Sequence, residues 1–329
     1  MTTMSKPVLF ASFRPLERAE NICAAYEAYT GEKVHIISTS PEYRSEVLSG
    51  KYDVLVTDDF PAVTPGKCIV IWHGIYGGKR VGLDQPGVPY YRREYADNMT
   101  YIISASNGMV NGWNKSTGVP KERILPLGMP RTDQYVGKVK GDGHTILADK
   151  HAYLYAPTFR DKGETPMPDI DWGYIDSILT DDEVFAVKAH PWQMYQHGKD
   201  QVTQNMSGIQ WKHIMVIGED QPSAPYLYDA DVIITDYSSI MFDAYLLNKP
   251  VVLFEKTPGY TETRGMYLDY PFDYCTFYAL NEEQLINNLR YRAKFPFLTN
   301  TELRCRVLVA DKCDGHVCER LNKLIDTIK

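Results

Sequence analysis

The run 232–255, VIITDYSSIMFDAYLLNKPVVLFE, admits few folds. Val232, Ile233, Ile234 and Thr235 are β-branched and show no polar alternation, the composition of a parallel strand covered on both faces. Asp236, Tyr237, Ser238 and Ser239 follow at once, and Ser and Asp oxygens accept the free N–H groups of a helix's first turn. From 240 to 247 apolar residues recur at helical spacing, Asn248, Lys249 and Pro250 stop them, and 251–254 is again continuously apolar. The stretch predicts a strand, a polar elbow, a short helix and a second strand. Two serines at a helix N-terminus, on the carboxyl side of a parallel strand, face free N–H groups and a helix dipole that favour an anion, commonly a phosphate. Taken alone, Ser238 and Ser239 read equally well as plain helix caps.

The rest of the chain repeats this texture. Strands are expected at 7–13, 33–38, 52–57, 68–72 and 100–104, with helices at 17–29 and 41–49. Between 128 and 150, Lys138, Lys140, Gly141, Asp142 and Gly143 break the apolar pattern and mark a domain junction. Alternation resumes with strands at 152–159, 184–188 and 214–217 and helices at 172–179 and 225–228. A helix at 281–294 sets Leu285, Leu289 and Arg292 at turn spacing, and one at 318–328 sets Leu321, Leu324, Ile325 and Ile328 on one face. Strands alternating with helices imply parallel, doubly wound sheets. The expected fold is α/β, with two Rossmann-like domains at 1–140 and 141–312 facing across a cleft, and a closing helix at 313–329 that packs back on the first. Ligands of such sheets bind outside the strand carboxyl ends.

Composition removes whole classes of function. The 329 residues carry a formal charge of −7 from 42 acidic and 35 basic side chains, so a generic nucleic-acid binder is excluded, while a small anionic substrate needs only a few local cations. The six cysteines form no C-x-x-C pair and no zinc spacing, which reads as free thiols in a reducing compartment. No carboxylate pair suggests a dedicated metal site. The N-terminus lacks a charged region followed by an apolar core, and the apolar runs are far below the ~20 residues of a membrane span. A cytoplasmic protein is expected, with any membrane contact peripheral.

Chemistry gathers at the expected strand ends. His73 and Gly74 follow the strand CIVIW within Trp72-His73-Gly74-Ile75-Tyr76-Gly77-Gly78-Lys79. A histidine there points into the cleft, and its ordinary pKa, ~6.5, suits a general base near neutrality; the plainer alternative is a core histidine in a glycine turn. The glycines let backbone approach a ligand closely, and Lys79 reads as surface or as a phosphate contact. Lys188-Ala189-His190-Pro191 ends a second strand, placing a second histidine at the matching position of the other domain. Thr158 and Arg160, in Tyr155-Ala156-Pro157-Thr158-Phe159-Arg160-Asp161, offer a hydroxyl and a guanidinium after a third. Arginine forks onto phosphate oxygens, although Arg160 and Asp161 also make a plausible surface pair. Arg131 either reaches the cleft or braces the linker. Asp243, one turn below Ser239, and Glu255, ending the next strand, could hold a backbone N–H or a sugar hydroxyl. The cluster Tyr90 to Tyr95 could touch an anionic acceptor or lie in a solvated loop.

In order along the chain, these segments resemble the CDP-glycerol glycerophosphotransferase family, the primases and polymerases of teichoic acids and related capsules. The matching pieces are Trp72-His73-Gly74 with Lys79, Gly128 to Asp133, Tyr155 to Asp161, Lys188 to Pro191 and Ile234 to Asp243. Arg264-Gly265 with Leu268-Asp269-Tyr270, and Asp314-Gly315 with Glu319-Arg320, complete the set. The resemblance implies a GT-B transferase without a cofactor, its first domain on the acceptor side and its second on the nucleotide-donor side. In it an acceptor hydroxyl attacks the β-phosphate of CDP-glycerol, or a similar CDP-alcohol, and CMP leaves. It makes His73 the general base and His190 the stabiliser of the transferred phosphate. It puts donor contacts on the backbone around Trp72, Gly74, Ile75 and Tyr76 and on Arg131, Thr158, Arg160, Lys188, Ser238, Ser239 and Asp243. The acceptor would be a glycan or lipid-linked hydroxyl. Ile75 and Tyr76 stand where family members often carry Thr-Pro. Two other readings stay open: a GT-B glycosyltransferase using a nucleotide sugar, and a non-catalytic nucleotide-binding protein.

Overall fold

The structure is a computed structural model that describes residues 7–12, 22–32, 35–38, 43–86, 91–158, 169–190, 206, 209–218, 221–256, 261 and 264–329. The chain divides into two compact units, one of Met1–Val136, Thr263–Tyr267 and Arg306–Lys329, the other of Gly137–Glu262 and Leu268–Cys305. Each holds a six-stranded sheet whose strand pairs are all parallel, as the alternation of strands and helices requires.

In the first unit the strands are β1 (Val8–Ser12), β2 (His35–Ser38), β3 (Val54–Thr57), β4 (Lys67–Ile71), β5 (Tyr101–Ser104) and β6 (Ile124–Pro126). Their spatial order is β2-β1-β3-β4-β5-β6, so the direction of winding reverses between β1 and β3. Ala11 pairs with Thr57 and Thr57 with Val70, so the residues after β1, β3 and β4 emerge at one level. β3 is buried throughout, as is β4 after Lys67. Each such Val, Leu or Ile contributes about 1.5–3 kcal/mol by leaving water. The helix Val317–Ile328 packs on Ile22–Thr30 and on the 3-10 segment Pro130–Tyr135, and Tyr26 donates its hydroxyl to Asn322 Oδ1 at 2.8 Å.

The second unit contains β7 (His151–Tyr155), β8 (Glu183–Val187), β9 (Ile214–Val216), β10 (Val232–Thr235), β11 (Val251–Phe254) and β12 (Tyr278–Ala279). The order is β12-β11-β10-β7-β8-β9; counted from β7, this is the 3-2-1-4-5-6 winding of dinucleotide-binding sheets, reversing between β7 and β10. Tyr155 pairs with both Ile234 and Val187, so the residues after β7, β8 and β10 also emerge level. At the amino ends of these strands Asp229, fully buried, accepts bonds from the N–H groups of Gly141, Gly143 and Thr145 and from the Thr145 hydroxyl. A Cβ on Gly143 would lie 2.0 Å from the Pro225 carbonyl oxygen. The glycine-rich segment that breaks the apolar pattern is therefore clasped to the floor of this sheet.

The run 232–255 folds as strand, elbow, helix (Ile240–Leu246) and strand. Besides the short pieces Tyr95–Asn98 and β12, three elements leave no trace in the expected alternation. The helix Val110–Thr117 holds Gly112, where a Cβ would stand 2.9 Å from the Tyr76 ring. The helix Asn300–Ala310 sets its apolar residues around its circumference rather than on one stripe. The three residues of β6 are too few to show a period. The segments expected at 17–21, 33–34 and 41–42 lie outside the described residues.

Candidate functional site

His73 leaves β4 at the carboxyl edge of the first sheet and is exposed. Its Nδ1 lies 3.2 Å from the carbonyl oxygen of Asp58, which directly follows the neighbouring β3. The Trp72 ring lies 4.2 Å from the imidazole, centroid to centroid, and 4.7 Å from the ring of Phe60. The side chains of Trp72, Ile75 and Tyr76 are buried, at 6%, 2% and 4% exposure. Tyr76 stacks on Trp113 at 4.0 Å. These three residues therefore anchor the turn through their side chains.

The turn after His73 is held from elsewhere in the chain. Arg80 N–H donates to the Gly265 carbonyl, Tyr267 N–H to the Gly78 carbonyl, and Arg80 Nε to the Met266 carbonyl. Gly77 sits at φ +141°, and a Cβ there would meet Val309 Cγ1 at 2.6 Å. Gly74 is buried beside His73. Lys79 bridges to Met266. The Arg264-Gly265 motif thus braces the histidine turn.

The strand end of β3 carries two acids. Asp58 is buried and accepts the Ser12 hydroxyl at 2.7 Å, closing the point where the sheet's winding reverses. Burial, joined by the charge of Asp58 and only partly offset by the Phe60 N–H, pushes the Asp59 carboxyl up to about 7. Neither acid stood out in sequence, because the contact with His73 links residues 15 apart in the chain.

In the second unit three neighbouring strands deliver the expected residues to one edge. Thr158 follows β7, Lys188 and His190 follow β8, and Ser238 and Ser239 follow β10. Asp236, 1% exposed, joins two of these ends: its Oδ1 accepts Thr158 N–H at 2.7 Å and Tyr237 N–H at 2.6 Å. This tie spans 78 residues of chain and lies where β7 and β10 meet, the switch point at which such sheets bind ligands. Ser238 Oγ accepts the Ile240 N–H at 3.4 Å, a long bond, and Ser239 makes no side-chain cap. The serines are thus weakly used by the helix, and both are partly exposed. Lys188 is 5% exposed, its Nζ 3.5 Å from the Gly218 carbonyl. His190 is partly exposed, and Asp243 is buried at 3%. Arg160 lies outside the described residues.

Tyr270 joins this edge: its hydroxyl lies 3.4 Å from the Asp236 carbonyl, and its ring 4.9 Å from that of Tyr237. Tyr278 donates to Glu255 Oε2 at 3.2 Å. Burial, with the negative charge of Glu255 beside it, pushes the Tyr278 hydroxyl up to about 12.

The remaining expected residues of the first unit also make contacts within the fold. Arg131 is 9% exposed and donates from Nη1 to the Tyr135 hydroxyl at 2.9 Å. Asp133 accepts the N–H groups of Val317 and Cys318 at 3.1 and 2.8 Å, capping the closing helix. Arg320 clamps Asp314 and donates to the Leu127 carbonyl. The motifs around residues 128–133 and 314–320 therefore fasten that helix to the first sheet. Tyr91 is buried and donates to the Thr117 carbonyl at 2.7 Å, so it belongs to the core; Tyr90 lies outside the described residues. Among the described residues no cluster of His, Cys, Asp and Glu could hold a metal ion, and no helix is long and apolar enough to cross a membrane. All six cysteines are free.

A profile of the CDP-glycerol:poly(glycerophosphate) glycerophosphotransferase family matches residues 23–326. A teichoic acid poly(ribitol-phosphate) polymerase of Bacillus spizizenii is 28% identical over 263 residues, covering 70% of this chain and 40% of that protein. A teichoic acid glycerol-phosphate primase of Bacillus subtilis is 28% identical over 263 residues, 72% of this chain and 65% of that one. The chain spans about half the length of the curated relatives it matches. Among solved structures, a variant of the wall teichoic acid polymerase TagF superposes with a TM-score of 0.78 at 19% identity, over 98% of this chain and 88% of that one. Another TagF structure, obtained after a soak with CDPG, gives 0.73 at 18%. These likenesses bear on the fold, and they agree with the two doubly wound units built from the sequence. With the family profile running through nearly all of it, the chain belongs to the CDP-glycerol:poly(glycerophosphate) glycerophosphotransferase family.

Proposed function

We propose that this protein transfers glycerol phosphate, or a related polyol phosphate, from a CDP-alcohol to a hydroxyl of a glycan or lipid-linked acceptor in the synthesis of a teichoic acid-like or capsular polymer. The observation that carries the reading is the convergence of Thr158, Lys188, His190, Ser238 and Ser239 on adjacent strand ends at the switch point of the second sheet, within a chain of this family. In this reading the second unit binds the donor. Lys188, the serine hydroxyls and Arg160 take the pyrophosphate oxygens, and Asp236 keeps the loops that present them in place. Preset donors of this kind stabilise charge as it develops on the phosphoryl group.

The first unit supplies the base. The acceptor oxygen attacks the β-phosphorus, and its proton passes to Nε2 of His73. A P–O bond forms to the acceptor as the bridging P–O bond breaks, and CMP departs with the electron pair. His190 stabilises the phosphate in transfer. A lipid-linked acceptor places the reaction in the cytoplasm, at the inner face of the cell membrane, with the protein held peripherally.

The test is CMP release from CDP-glycerol and CDP-ribitol over a panel of acceptors. CMP formation by the protein, lowered 10²–10⁴-fold in His73→Ala as for loss of a general base, supports the reading; no CMP above that variant across the panel overturns it. Thermal shifts separate the alternatives: CDP-alcohols, rather than UDP- or GDP-sugars, should raise the melting temperature.

A further inference from the structure

The described residues around His73 show more than a histidine at a strand end. A carbonyl oxygen can only accept a hydrogen bond. The 3.2 Å contact between His73 Nδ1 and the Asp58 carbonyl therefore places a proton on Nδ1, which in the neutral imidazole puts the lone pair on Nε2. The same short segment makes a second, independent contact. Two residues on, Phe60 packs on Trp72 at 4.7 Å, and Trp72 packs on the imidazole at 4.2 Å. Tyr91 backs Phe60 at 4.5 Å, edge on. The imidazole is thus gripped along one edge by a main-chain acceptor and across one face by an aromatic column, while the residue as a whole remains exposed.

We propose that the Asp58–Phe60 segment is the positioning element of His73: it selects the Nδ1–H tautomer through the Asp58 carbonyl and fixes the ring plane through Phe60 and Trp72. Phe60 is a positioning residue, since it acts on the imidazole through Trp72. Ser12 contributes from one shell further out. Its hydroxyl holds the Asp58 carboxylate at 2.7 Å and so steadies the peptide whose carbonyl meets His73. The sheet order explains why this segment does the work: β3 lies beside β4, and the pairing of Thr57 with Val70 sets the two strand ends level. The proposal rests on the reading of His73 as the base, and it adds what makes one imidazole nitrogen the acceptor of the proton.

Two measurements test it, and they fail separately. The first is independent of turnover: nitrogen-15 NMR of histidine-labelled protein above pH 8, with the His73 signal picked out of the eight histidines by its loss in His73→Ala. An Nδ1–H pattern is expected; an Nε2–H pattern overturns the proposal. The second is kinetic. Phe60→Leu should lower kcat about tenfold with KM for CDP-glycerol within about twofold, while Phe60→Tyr, which keeps the ring, should retain the wild-type kcat. Unchanged kcat in Phe60→Leu, or equal loss in both variants, overturns the proposal. Full turnover in His73→Ala alongside an Nδ1–H signal would instead overturn the assignment of His73 as base, and with it the catalytic purpose of the segment.

Discussion

Both sheets close their switch points with an aspartate, and they do so in different ways. In the first unit Asp58 takes a side-chain hydroxyl, that of Ser12, and lends its own carbonyl to His73. In the second, Asp236 takes two main-chain N–H groups, those of Thr158 and Tyr237. One arrangement joins two side chains and turns a main-chain carbonyl toward an exposed imidazole. The other ties backbone to backbone and leaves two serine hydroxyls little used. In the proposed reaction the first would serve the group that exchanges a proton, the second the rim that holds the pyrophosphate. The winding differs as well, reversing between β1 and β3 in one sheet and between β7 and β10 in the other. Similar materials are therefore placed at two edges of distinct topology.

Replacing the two aspartates is the strongest way to break this comparison. Asp236→Ala strands two buried N–H groups and should destabilise by about 2–4 kcal/mol, with loss of CDP-glycerol binding by calorimetry. Asp58→Ala leaves the main-chain acceptor of His73 intact and strands a hydroxyl that can turn elsewhere; about 1–2 kcal/mol is expected in denaturant titrations. Equal losses would erase the distinction.

Acid titration sharpens it. Burial alone would raise the Glu183 carboxyl, but Arg290, the Thr180 N–H and the Tyr153 hydroxyl outweigh it and hold the group at about 2. Its stabilising contribution is present above the ordinary glutamate range, near 4.5, and is lost as pH falls from there toward 2. Glu183→Gln should therefore cost about 1–2 kcal/mol at pH 7 and much less at pH 3, by thermal melts.

The first unit should respond with the opposite sign, and less. Asp59 is raised from 3.8 to about 7, so the folded state prefers its protonated form. Its contribution is most favourable below about pH 4 and erodes as pH rises through about 7. Asp59→Asn should gain about 1 kcal/mol of stability at pH 8 relative to pH 5; a gain that does not depend on pH would remove Asp59 from the comparison.

Much of this was legible in sequence. Continuous runs without polar alternation, such as 232–235 and 68–71, announce covered parallel strands, and residues directly after them must emerge at the carboxyl edge. That placed His73, His190, Thr158 and the serines. Long-range closure was not legible. Asp236 binding Thr158, and Asp58 meeting His73, depend on which strands are neighbours, and periodicity carries no strand order. The part Asp133 plays was hidden for the same reason: its partners, Val317 and Cys318, are 184 and 185 residues away. The helix Asn300–Ala310 escaped the sequence pattern because apolar side chains on every face leave no stripe to detect.

The bare α-carbon of Gly77 accommodates Val309, which is fully buried. The tolerance of the histidine turn to change is consequently written partly at a site more than two hundred positions downstream. An inserted methyl group at 77, or a bulkier residue at 309, crowds the same few cubic ångströms and tilts the loop that follows the imidazole. Sequence drift at these two sites has to be concerted, and an engineer altering one should expect to redesign the other.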